Sequence, residues 1–250
     1  MTEEEKYTFD IQGYLHLEGV LPSEQLAEMN AWLDEKAAEG MAWGGGGSLL
    51  TWGPAFRALL DQPRVLPLLT EILGGGLRLD HDYAIISQPG AGGFGLHGGG
   101  VPYDPSQYYH VSEGRIFSGL TVVSYALADV PPGAGGLACI PGSHKAQFRC
   151  PDDLIQFRRS SPLVRQVPMK AGDCVIFTEA LTHGTFPWTA PHERRSLFLK
   201  YAPGHMSWAR RYYLSGEGND AVQALAEDMT DAQRALLLPP SADGHQEPAR

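Results

Sequence analysis

Over residues 77–201 the chain is cut into short apolar runs, each closed by glycine, proline or aspartate, and this punctuation constrains the fold most. Leu77-Arg78-Leu79-Asp80-His81-Asp82-Tyr83-Ala84-Ile85-Ile86 alternates in strand fashion and stops at Pro89-Gly90. A long run over 115–130 ends at Pro131-Pro132-Gly133, and short strands are expected at 137–140, 164–169, 174–177 and 196–201. Runs this short cannot bury a core alone. Without helices alternating between them they point to an antiparallel sandwich or barrel rather than to βαβ units.

The flanks read differently. Residues 8–19, with Phe9, Ile11, Tyr14, Leu15 and Leu17, suggest a short strand or turn. Leu26, Met29, Trp32 and Leu33 then recur at helical spacing, with Ser23 as the expected N-cap, up to Gly40. Four glycines in the 43–48 loop lack the GK[ST] of a phosphate cradle. A second helix is expected over 54–73, broken near Pro63 and stopped by Gly74-Gly75-Gly76, and helices again over 221–229 and 231–238 before a disordered tail. The expectation is one domain over 1–250, with 1–76 as helical support, 77–203 as the β core, and 204–250 as C-terminal helices and tail.

Bulk charge narrows the partners. A net charge of −10 argues against a nucleic-acid groove, which needs clustered Lys and Arg. No apolar run approaches the roughly 18 residues of a membrane span, and the acidic start is unlike a secretory leader. Cys139, Cys150 and Cys174 lack CxxC spacing, so neither a disulfide framework nor a zinc ribbon is expected, and a cytoplasmic location is. Cys139 and Cys174 read as core thiols.

Two histidines carry the chemistry. His97 lies in Gly95-Leu96-His97-Gly98-Gly99-Gly100 and His183 opens His183-Gly184-Thr185. Nonhaem iron(II) oxygenases use two imidazoles and usually one carboxylate on one face of the metal. A carboxylate two residues after the first histidine would suit, but Gly99 stands there. Gly135-Gly136-Leu137, Ile140-Pro141-Gly142-Ser143-His144-Lys145, Ala171-Gly172-Asp173, His183-Gly184-Thr185 and Arg194-Arg195 follow in order. In these segments the sequence resembles the phytanoyl-CoA dioxygenase family of Fe(II)/2-oxoglutarate-dependent oxygenases.

The resemblance implies a mainly β, jelly-roll double-stranded β-helix of the cupin-like kind with flanking helices. It implies His97 and His183 as iron ligands, Fe(II) and 2-oxoglutarate as cofactors, and dioxygen and a small molecule as partners. It further implies a distal arginine on the cosubstrate's far carboxylate. Arg194 fits best, because a guanidinium can hold a carboxylate bidentately, and Arg195 competes, since strand neighbours face opposite ways. Thr185, Tyr83 and Thr121 are candidate cosubstrate contacts, with a turn or core role equally open. His144 reads as structural, and His81, His110 and His192 as solvent-facing or supporting groups. Tyr103, Tyr108, Tyr109, Phe186 and Trp188 suggest an aromatic pocket, and Arg210 and Arg211 an anion clamp or surface ion pairs.

Three readings of Gly99 stay open at this level. Chloride or bromide could fill the vacated position, as in the related nonhaem iron halogenases, whose metal motif carries HxG or HxA; this radical halogenation is the leading reading. A carboxylate could arrive from Asp104 or elsewhere, giving a hydroxylase. Metal could be weak or absent, leaving a small-molecule-binding barrel.

Overall fold

A computed structural model describes residues 1–39, 47–209, 212–214 and 220–241. Most of the 43–48 loop, Arg210, Arg211 and the end of the tail lie outside the described residues.

The chain opens with a helix, α1 (Glu3–Gln12), where a strand or turn was expected from residue 8. Its cause is local. Thr2 and Glu5 form a reciprocal capping box, Glu5 N donating to Thr2 Oγ1 at 3.1 Å and Thr2 N to Glu5 Oε2 at 2.7 Å. Gly13, in the left-handed region at φ +82°, ends the helix. The expected strand character survives only in β1 (Tyr14–Leu17). α2 (Ser23–Ala38) follows, but Pro22 rather than Ser23 is its N-cap and no side chain caps it. The expected second helix divides at the Pro63 break into α3 (Pro54–Arg57) and α4 (Leu66–Leu73).

The strands follow as β2 (Arg78–Ser87), β3 (Phe94–His97), β4 (Tyr109–Ser112), β5 (Arg115–Ser118), β6 (Thr121–Ala126) and β7 (Gly136–Cys139). After α5 (Asp152–Ile155) come β8 (Arg165–Gln166), β9 (Cys174–Thr178), β10 (His183–Phe186) and β11 (Arg194–Ala202), then α6 (Asp220–Gln223) and α7 (Asp231–Ala235). The run over 115–130 is two strands rather than one. β5 belongs to a hairpin with β4, turned through Glu113 and Gly114, both at positive φ. The strand expected over 164–169 shrinks to β8 plus a single bridge between Met169 and Val130.

Five strands form one antiparallel sheet in the order β1-β9-β6-β11-β2, and four form another, β3-β10-β7-β8. The central strands β6 and β9 of the large sheet are buried on both faces along their whole length, so they show little alternation. Val123, Tyr125, Ile176, Leu197, Leu199 and Tyr201 pack outward against Phe9, Met29, Leu33, Leu69 and Ile72 of the helices. Val122, Val175, Phe177 and Phe198 face inward with Leu137, Cys139 and Trp188. Two sheets closed over one inner core, with helices outside, make a double-stranded β-helix. Among the described residues no helix is long and apolar enough to cross a membrane.

Candidate metal centre

His97 ends β3 and His183 begins β10, and the antiparallel register sets them directly opposite. Their ring centroids are 4.2 Å apart. Each ring is held through Nδ1: His183 to Leu181 O at 2.7 Å, His97 to Gly95 O at 3.2 Å. A backbone carbonyl can only accept, so both Nδ1 atoms carry the proton and both Nε2 lone pairs are left for a metal. Burial presses the His183 pKa down to about 4 against the pull of Glu179, so its ring is neutral at pH 7. His97 is exposed, which leaves one side of the pair open.

A carboxylate does stand beside the pair, that of Glu179, a residue that reasoning from the sequence passed over. It is the first residue after β9, where the chain crosses from the large sheet to the small one, and only 2% of it is exposed. Its N–H donates to Leu120 O at 2.9 Å, which fixes the crossing. Donor atoms of His97, Glu179 and His183 all lie within 4.8 Å of one another, and among the described residues no other such trio of potential ligands occurs. Glu179 Oε2 is 4.0 Å from His183 Nε2, and Lys200 Nζ on β11 is 2.6 Å from Oε1. Burial pushes the carboxyl pKa up, but His183, Lys200 and His97 outweigh it and hold it below the ordinary value. The signal was the Glu-x-x-x-His spacing of Glu179 and His183, hidden because a carboxylate was sought after the first histidine rather than before the second.

The glycines after His97 then have a steric reason. A Cβ on Gly98, at φ +74°, would sit 2.5 Å from Glu179 O and 2.7 Å from Leu181 O. One on Gly99, at φ +90°, would sit 2.8 Å from Thr182 Oγ1. The segment bearing Glu179 packs on this backbone, which gives the glycines a steric reason of their own. Asp104 is not among the trio. Its Oδ1 accepts from Ser106 N at 2.8 Å and Ser106 Oγ at 2.6 Å, an Asx turn that uses the carboxylate locally.

Strand alternation settles the arginines. Arg194 points inward, 3% exposed, with Nε and Nη1 buried and lacking a hydrogen-bond partner among the described residues. Burial lowers its pKa to about 10, so it remains a cation at neutral pH. Arg195 turns outward to Glu193 at 2.8 Å, Asn30 at 2.9 Å and Asp34 at 2.5 Å. Arg194 Nε lies 3.6 Å from where a Cβ would stand on Gly136, which pairs with Phe186 at the far end of β10. Three residues of strand, about 10 Å, therefore separate His183 from this cation. Thr185 lies between, on the His183 side of the strand and half-buried. Tyr83 stacks on Phe198 with centroids 5.0 Å apart, beneath Lys200 Nζ at 5.5 Å.

Other expected contacts are not brought here. Thr121 faces away, fully buried, its hydroxyl donating to Gly119 O at 3.0 Å, so it is no cosubstrate contact. His144 is structural as expected: Nε2 bonds Asp10 O at 3.1 Å and the ring packs edge-on to Tyr109. His81 bonds Asp80 at 2.7 Å, His192 bonds Asp129 O at 2.9 Å, and His110 is exposed. The aromatic pocket is only partly realised. Trp188 is core, Tyr109 bonds Asp10 and Tyr103 is exposed, whereas Phe94, unnoticed in the sequence, lies edge-on to His97 at 5.1 Å.

The chain is similar to several known proteins. An ectoine dioxygenase of Nocardia farcinica is 23% identical over 240 residues, spanning 79% of this chain and 76% of its own. HygX of Streptomyces hygroscopicus, solved with nickel and 2-oxoglutarate bound, superimposes with a TM-score of 0.75 at 23% identity, covering 88% of this chain and 96% of HygX. SnoK, a non-heme alpha ketoglutarate dependent carbocyclase from nogalamycin biosynthesis, gives a TM-score of 0.61 at 20% identity over 82% of this chain and 85% of its own. Residues 9–196 match the family described as phytanoyl-CoA dioxygenase, PhyH. The chain belongs to the phytanoyl-CoA dioxygenase family.

Proposed function

We propose that this protein is a nonhaem Fe(II)/2-oxoglutarate-dependent oxygenase that hydroxylates an aliphatic C–H of a small molecule, with iron held by His97, Glu179 and His183. The observation that carries the reading is the trio itself: two imidazoles and one carboxylate within 4.8 Å. That donor set suits iron(II) and leaves the remaining positions of an octahedral ion free. The buried Arg194 atoms lacking a partner, about 10 Å along β10, suit the far carboxylate of 2-oxoglutarate. The family relative named ectoine dioxygenase and the 2-oxoglutarate bound to HygX support the same cofactors.

Iron(II) with 2-oxoglutarate and dioxygen supplies the oxidising chemistry when bound. The chain's own residues supply the placement. Leu181 O and Gly95 O fix the two histidine tautomers, and Lys200 keeps the Glu179 carboxylate ionised. Arg194 with Thr185 and Tyr83 orients the cosubstrate. Phe94, beside the open His97 flank, is the first wall that a substrate meets. Glu179 fills the role that Gly99 leaves, which favours hydroxylation over radical halogenation with chloride or bromide. A buried arginine with two idle donors has little purpose in a barrel that merely binds a ligand.

The test is anaerobic titration with Fe(II) and 2-oxoglutarate, followed by turnover with and without chloride. The expected results are a visible metal-to-ligand charge-transfer band and hydroxylated product that is unchanged by halide. Halogenated product would overturn the hydroxylase reading, and absence of the band would overturn the iron site.

A further inference from the structure

Resting on the proposed iron site, we infer that Lys200 is a positioning residue that reserves one oxygen of Glu179, so that only the other is offered to the metal. Lys200 is a partly buried cation on the central strand β11, its side chain 13% exposed and its Nζ 2.6 Å from Oε1. The two carboxylate oxygens are thereby divided: Oε1 faces Lys200, and Oε2 faces His183 Nε2 at 4.0 Å.

Nothing in the fold alone asks for this lysine. It lies on β11 opposite His81 of β2 and Val122 of β6, and Phe198, its neighbour on the same face, is apolar. A buried ion pair is costly unless geometry is good, and an apolar residue of similar size there would leave the sheet intact. The cation is explained by the carboxylate. Tyr83, under the ammonium at 5.5 Å, closes the other side and keeps it aimed at Oε1.

The chemical consequence follows from counting donors. Two imidazoles and one carboxylate oxygen take three positions of a six-coordinate ion, which leaves two for a chelating 2-oxo acid and one more. A carboxylate free to use both oxygens would take a fourth. By holding Oε1, Lys200 preserves room for both cosubstrates.

Cobalt(II), a spectroscopic stand-in for iron, tests this in the full-length protein by its visible ligand-field bands and by 2-oxoglutarate titration of the cobalt-loaded protein. Lys200→Met frees Oε1, so cobalt still binds but its bands change shape. The 2-oxoglutarate affinity then falls about tenfold, in the range seen when groups supporting a metal ligand are lost. Lys200→Arg keeps a cation on Oε1 and retains the wild-type spectrum. Lys200→Leu, a second apolar variant with no donor for Oε1, behaves like Lys200→Met and serves if the methionine protein does not fold. Variants with wild-type bands and wild-type 2-oxoglutarate affinity overturn the inference, as does Lys200→Arg behaving like Lys200→Met. Failure of the underlying site looks different: the wild-type protein itself then binds no cobalt, or Glu179→Gln binds it unchanged.

Discussion

Replacing Gly98 by alanine separates the steric account of the glycine motif from the vacancy account. The new Cβ would lie 2.5 Å from Glu179 O and 2.7 Å from Leu181 O, both backbone atoms that no rotamer change can move aside. Left-handed backbone adds about 1 kcal/mol for a non-glycine residue, and overpacking adds about 1–3 kcal/mol. The sum, about 2–4 kcal/mol, corresponds to a melting temperature lower by roughly 4–16 °C for a chain of this size. Gly90→Ala is the control, because φ is +83° there but nothing lies within 4 Å of the added atom. It should lose only the backbone part, about 1 kcal/mol or roughly 2–4 °C. Denaturant unfolding gives both stabilities, and cobalt titration reads the site. Since the clash pushes directly on the peptide of Glu179, Gly98→Ala should also bind cobalt at least about tenfold more weakly. A Gly98→Ala protein as stable as Gly90→Ala, with unchanged cobalt affinity, would refute the reasoning.

Three further outcomes follow from the same geometry. Arg194→Lys should weaken 2-oxoglutarate binding by about 1.5–3 kcal/mol, the range for hydrogen bonds to charged groups. Arg195→Lys, on the outer face, should leave that affinity unchanged and cost at most about 1 kcal/mol of stability. His144 is buried as a neutral ring with its pKa pushed down from 6.5 to about 4, so the unfolded chain takes up the extra proton first. Its contribution is complete above pH 6.5 and is lost as pH falls toward 4, up to about 3 kcal/mol, and the stability-against-pH curve of His144→Gln should be flatter over that window. Asp104→Ala should keep full metal affinity while losing about 1 kcal/mol with its turn, as read by cobalt titration and thermal melting.

Much of this was legible in residues 77–201, because turn residues interrupt strands at intervals that survive folding. Period-two alternation shows that only one of Arg194 and Arg195 can point inward, and the packing of β11 makes it Arg194. What escaped had two physical causes. α1 was misread because its apolar residues Phe9 and Ile11 fit a strand as well as a helix, although Thr2 and Glu5 announced the capping box. Glu179 escaped because its role depends on a sheet-to-sheet crossing that brings it beside His97, a contact between segments far apart in sequence. The sequence shows what Gly99 lacks but not the Thr182 hydroxyl that would lie 2.8 Å from a Cβ placed there. Whether Thr121 met the cosubstrate or the core stayed open in the sequence, since a strand buried on both sides gives no alternation to read.

The central claim is that Glu179 supplies the third protein ligand. Anaerobic titration of Glu179→Gln with Fe(II) in the presence of 2-oxoglutarate tests it most directly. The amide keeps the shape of the side chain and removes the charge. The wild-type protein should develop the metal-to-ligand absorption band, and Glu179→Gln should lose it, with iron affinity reduced by at least about tenfold. A Glu179→Gln protein that binds iron as tightly as the wild type and shows the same band would contradict the account.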